Sequence, residues 1–152
     1  MEIARAAGVS HGTLYHLFGG REALVDAVIV DLVADLLDAV AATALAADDP
    51  WEGFASYVMA VCELQVSHPA VADAVTGALP SSPRLMRMCE QTAVTAHRIM
   101  DRARDAGVLR GDVTTDDLLQ VFAACAAIAE RGDGVQQWQR HAGFVLDGFR
   151  TR

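Results

Sequence analysis

Between Ser10 and Arg21 the chain carries Ser10, His11, Thr13, Tyr15, His16 and Arg21, interleaved with Gly12 and the apolar Leu14 and Phe18. Hydroxyls, imidazoles and a guanidinium are hydrogen-bond donors, and none is an anion at neutral pH. Such a set suits an anionic partner, phosphate oxygens above all. Leu14 and Phe18 fall one helical turn apart, so they can hold a short helix on a core while the polar residues face out. Ser10 is placed to cap that helix, roughly residues 11–17, and Gly19-Gly20 breaks it. A preceding short helix, residues 2–7, stops at Gly8, a residue suited to a left-handed position past a helix end. Arg21 then opens a long helix, where free peptide N–H groups and the helix dipole also favour phosphate.

No other stretch offers comparable chemistry. There is no nucleophile motif, phosphate loop, metal-ligand set or paired-carboxylate arrangement, so the sequence predicts no enzyme, no cofactor and no metal. Cys62, Cys89 and Cys125 are far apart, each inside an apolar helical pattern, and are expected as buried reduced thiols. No i, i+4 histidine pair or carboxylate cluster supports metal binding by His68 or His97.

The 152 residues suffice for one well-buried core, and at 53% hydrophobic the chain is no disordered tail. No stretch reaches the length of a charge-free membrane helix, and the start MEIARAAG lacks a signal-peptide core; a cytoplasmic protein is expected. All twelve basic residues are arginine, and the formal net charge is −8. That balance excludes a protein that coats nucleic acid generally, but it allows a small local contact.

The elements that must position the polar cluster read as helices throughout, with proline confined to breaks at Pro50, Pro69, Pro80 and Pro83. The long helix from Arg21 to about Leu45 shows an apolar stripe through Leu24, Val28, Leu32, Leu36 and Val40, with Asp31, Asp35 and Asp38 on another face. Further helices are expected over about 50–68, 69–78, 83–106, 115–130 and 135–150. Gly107 ends the helix over 83–106, and Thr114 with Asp117 makes a capping box for the one over 115–130.

The stretch EIARAAGVSHGTLYHLFGGREALV resembles the DNA-binding segment of the tetracycline-repressor (TetR) family of transcriptional regulators. The matching residues are Ile3-Ala4, Ala7-Gly8-Val9-Ser10, Thr13-Leu14-Tyr15, Phe18, Gly19-Gly20, Arg21-Glu22 and Leu24. The segment AGVLRGDVTTDDLL, followed by a tryptophan and LDGF, is similar to the C-terminal half of actinobacterial members. The resemblance implies an all-α fold. Residues 1–24 would form a partial helix-turn-helix domain, and residues 25–152 a ligand-binding and dimerisation domain. It implies that Thr13, Tyr15, His16 and Arg21 contact the DNA backbone, while Ser10, His11 and Gly12 lie nearest the bases. Family members carry a further helix ahead of the one starting at Glu2, usually after a basic arm. Without it, and with Arg5 and Arg21 only balancing Glu2 and Glu22, weak operator binding is expected from this chain.

The implied function is a ligand-responsive regulator, a repressor binding operator DNA as a homodimer and answering to a small apolar effector. The alternative is a dimeric ligand-binding or interaction protein that no longer binds DNA. Candidates for the ligand cavity are Trp51, Phe54, Tyr57, Val58, Cys62, Met86, Met88, Cys89 and His97, apolar or amphipathic residues of the middle helices. The helix over 115–130 is apolar nearly all round and needs cover on both sides. With its successor it suggests a four-helix interface formed by Leu118, Leu119, Phe122, Trp138, Ala142, Val145 and Phe149, with Gly143 and Gly148 allowing close approach.

Overall fold

The computed structural model of the chain describes residue 10 and residues 21–75, 82–131 and 135–151. Six helices make up the described residues: α1 (Arg21–Ala46), α2 (Pro50–Ser67), α3 (Pro69–Val75), α4 (Pro83–Asp105), α5 (Thr115–Ala129) and α6 (Val135–Phe149). The helices expected over 2–7 and 11–17 lie outside the described residues.

Local chemistry accounts for the helix ends. Proline occupies the first position of α2, α3 and α4, where its missing N–H costs nothing. The Asp49 carboxylate accepts from Trp51 N at 2.7 Å and Glu52 N at 3.1 Å, capping α2. The Ser82 hydroxyl accepts from Leu85 N at 3.0 Å and caps α4. Gly107, at φ +70°, turns the chain out of α4. Thr114 and Asp117 close the capping box of α5: Asp117 N donates to Thr114 Oγ1, and Thr114 N donates to the Asp117 carboxylate at 2.7 Å.

Helix α2 is the hub, packed against every other helix, and it carries Phe54, Val58, Val61 and Cys62 into the core. It crosses α1 closely at Gly53, where a Cβ would stand 2.5 Å from the Ala44 carbonyl oxygen, so only glycine fits without a backbone shift. The buried stripe of α1 runs through Val30, Val33, Leu37, Ala41 and Ala44. This corrects the stripe expected through Val28 and Leu32, both of which are exposed. A helix with apolar residues this dense has no single legible face; its neighbours choose one. Cys89 corrects another expectation. It is exposed, whereas Cys62 and Cys125 are buried and free.

The loop after α4 is tied to the end of α6. Arg110 N donates to Phe149 O at 3.0 Å, and Thr151 N to Val108 O at 3.1 Å. The Arg150 guanidinium lies 5.1 Å from the centre of the Trp51 ring, and Trp51 packs tilted against Phe54. Trp51 thus joins the chain's C-terminal end to the start of α2.

Candidate functional site

A cavity of about 460 Å³ opens between α2, α4 and α5. Tyr57 and Val61 enter it from α2, Leu37 from α1 and Ala74 from α3. One wall is α4, through Met88, Cys89, Thr92, Ala93 and Ala96; the opposite wall is α5, through Thr115, Leu118, Leu119 and Phe122. The spacing 88, 89, 92, 93, 96 is the signature of one helical face. No lining residue carries a formal charge.

Polar groups in the lining are few. The Thr115 hydroxyl is engaged with His97 Nε2 at 2.9 Å, and His97 Nδ1 lies 2.7 Å from Ala93 O. A carbonyl only accepts, so Nδ1 carries the proton, and in the neutral ring Nε2 accepts from Thr115. Tyr57 is 3% exposed, and burial alone pushes its phenol up to about 12.

The sequence expectation and the cavity overlap at Tyr57, Met88 and Cys89. Met86 points away and is 56% exposed. Phe54, Val58 and Cys62 belong to the solid core on other faces of α2, and Trp51 is held by Arg150 and Phe54. The buried Cys62 thiol meets Cys125, a contact that raises the Cys62 pKa above the ordinary thiol range, and desolvation adds to the rise. His97 reaches the cavity only through Thr115. The expectation missed Thr92, Ala93 and Ala96, which the spacing from Met88 and Cys89 could have indicated. It also missed Leu118, Leu119 and Phe122, which were assigned to a subunit interface.

That assignment needs correction. Leu118, Phe122, Trp138 and Ala142 are buried within the single chain and cannot also form a partner-facing surface. Val145 and Phe149 are half-buried against the same core. Among the described residues, the large exposed hydrophobic side chains on these two helices are Leu119 and Phe144, the latter 61% exposed with the Arg140 guanidinium 5.2 Å from its ring centre. Within the chain, a Cβ added at Gly143 or Gly148 would meet nothing within 4 Å, so neither glycine serves an internal helix crossing.

Helix α4 is fastened to α1 near both ends. At its start, Ser82 donates to Asp26, and Arg84 pairs with Asp31 at 2.5 Å. Near its end, the Arg102 guanidinium donates to Leu45 O at 3.0 Å, to Asp48 O at 3.2 Å and to Ala47 O. These bonds satisfy carbonyls at and just beyond the C-terminus of α1, where the helix leaves them open. Arg21 is the first residue of α1, and Ser10 is exposed. His11, Gly12, Thr13, Tyr15 and His16 lie outside the described residues.

Residues 49–151 match the family described as transcriptional regulator SbtR-like, C-terminal domain, and residues 1–28 match bacterial regulatory proteins, tetR family. A 49-residue stretch is 49% identical to the HTH-type transcriptional regulator BetI 2 of Chromohalobacter salexigens. That match spans 32% of this chain but only 24% of the relative, about a quarter of its length. The fold is similar to a TetR transcriptional regulator from Streptomyces coelicolor, with a TM-score of 0.69 and 32% identity over 97% of this chain and 85% of that one. A TetR-family regulator from Pectobacterium atrosepticum shares the fold at a TM-score of 0.70 and 24% identity, over 98% and 81% of the two chains. No helix among the described residues is long and apolar enough to cross a membrane.

Proposed function

The chain belongs to the tetR family of bacterial regulatory proteins, and from that premise we propose that it is a ligand-responsive transcriptional repressor acting as a homodimer in the cytoplasm. The observation that carries this reading is the double attachment of α4, a wall of the apolar cavity, to α1, the helix that leaves the DNA-reading segment. A ligand entering the cavity changes the separation of α4 from α2 and α5. The ties at Asp31 and at the end of α1 pass that displacement to Arg21 and the segment before it. In a dimer, such a shift alters the spacing of two readers, and operator affinity depends on that spacing. Residues 1–24 would be the reader and residues 25–152 the sensor and dimer body. The boundary between them falls inside the first turn of α1, so one continuous helix joins the two parts.

In this reading Thr13, Tyr15, His16 and Arg21 hold phosphates, and Ser10, His11 and Gly12 face base edges. The effector is small and largely apolar, because the lining is. Gel-shift titration at low salt on DNA upstream of the chain's own gene tests the reading. Selective retention over scrambled DNA is expected, with affinity falling as salt rises. Arg21→Ala should weaken both DNAs alike and flatten the logarithmic salt slope by about one unit. No selective retention at any salt concentration overturns the DNA-reading half.

A further inference from the structure

Two hydroxyls of the cavity lining, those of Tyr57 and the half-buried Thr92, make no hydrogen bond among the described residues, and Tyr57 is the more deeply buried. Tyr57 is 3% exposed and lines the cavity, yet its hydroxyl makes no hydrogen bond among the described residues. The polar atoms that are fully enclosed and unpartnered belong to Gln65, Arg104 and Trp138. The Tyr57 oxygen is not one of them, so it keeps some open surface, and the residue lines the cavity. A buried hydroxyl with no acceptor costs free energy in the empty protein, a cost that a suitable acceptor relieves. The walls around it are mainly aliphatic or aromatic, with Thr92, Thr115 and Cys89 among them, and none carries a charge.

We propose that the cavity takes an uncharged, mainly hydrocarbon compound bearing one acceptor oxygen, such as a ketone, ester or ether, and that the Tyr57 hydroxyl donates to that oxygen. This rests on the cavity being the effector site, and it names the effector's chemical class. A carboxylate or ammonium would lose its hydration with no counter-charge in the lining. A pure hydrocarbon would fit the walls but leave the hydroxyl unpaired. The site therefore discriminates on both sides, against charge and against the absence of oxygen.

The experiment uses three compounds of similar shape on the full chain: benzophenone, diphenylmethane and diphenylacetate, with affinities from equilibrium dialysis. Benzophenone binds, and diphenylacetate binds at least about a hundredfold more weakly. The ratio of benzophenone to diphenylmethane affinity falls about tenfold on Tyr57→Phe, because the substitution removes one hydrogen bond and little volume. Helical content of Tyr57→Phe, checked by circular dichroism, stays that of the parent. Irradiated benzophenone cross-links to the tryptic peptides of the two facing walls, 88–98, which carries the α4 wall and excludes Met86, and 111–131, which carries the α5 wall. Tighter binding of diphenylacetate, an unchanged ratio in Tyr57→Phe, cross-linking confined to residues outside the cavity lining, or no binding of benzophenone each overturns the proposal. If benzophenone binds as stated but leaves DNA retention untouched, the cavity chemistry stands and the ligand-responsive reading falls.

Discussion

At the scale of single residues, two buried polar side chains stand out for what they lack. Gln65 is 3% exposed, and both its amide atoms are without partners. It continues the stripe of Tyr57 and Val61 along α2, one turn beyond the cavity wall. Its amide was desolvated on folding with no return, so Gln65→Met, similar in shape and apolar, should stabilise the protein by about 1–2 kcal/mol. Urea unfolding followed by circular dichroism would register the gain as a higher midpoint at unchanged slope. Tyr57 gives a pH signature. Burial raises its pKa from 10.0 to about 12, so the fold favours the neutral phenol. That contribution is complete below pH 10 and is lost as pH rises through about 12, up to about 3 kcal/mol in all. The chain has no lysine, and arginine stays charged in this range, so few other groups titrate there. Tyr57→Phe should lose stability more slowly than the parent between pH 10 and 12, and guanidinium melts at a series of pH values would compare them.

At the scale of elements, the fastenings of α4 to α1 differ in kind. Arg84 and Asp31 are both exposed enough to be well hydrated, and such pairs contribute little, about 0–1 kcal/mol. Arg102 is half-buried and serves several backbone carbonyls at the end of α1. Removing it leaves those acceptors poorly solvated. Arg102→Ala should therefore cost about 2 kcal/mol, and Arg84→Ala less than about 1 kcal/mol. Chemical denaturation of the two variants would reverse this assignment if Arg84→Ala proved the costlier. In the proposed signalling, the Arg102 end would act as a pivot, and the Arg84 end, nearer the start of α1, would yield more easily.

At the scale of the whole molecule, the homodimer proposed above would have to use what the chain leaves uncovered. Leu118, Phe122, Trp138 and Ala142 are consumed by the internal core, whereas Leu119 and Phe144 remain open on α5 and α6. Phe144→Asp places a charge where an exposed ring meets Arg140, outside the buried core. It should give a folded monomer, with helicity kept and the sedimentation coefficient lowered. A parent chain that already sediments as a monomer at micromolar concentration would remove the basis for a dimer.

Among the described residues, the sequence by itself determined the helix order and nearly every helix end, because caps, prolines and glycines act within a few residues and need no tertiary partner. Asp49-Pro50, Ser82-Pro83, Gly107 and the Thr114–Asp117 box are of this kind. It also carried the family, through an ordered run of residue types in the first two dozen positions. What it could not decide was which apolar face goes where. In α1, α2 and α5 apolar residues cover most of the circumference, so periodicity selects no single side, and the neighbouring helices do. That is why Val28 and Leu32 ended outside, why Phe54 and Val58 filled the core and left the cavity to Tyr57 and Val61, and why Leu118 and Phe122 turned inward. A cavity is the place where helices fail to meet, and only the packing of all of them together fixes where that is.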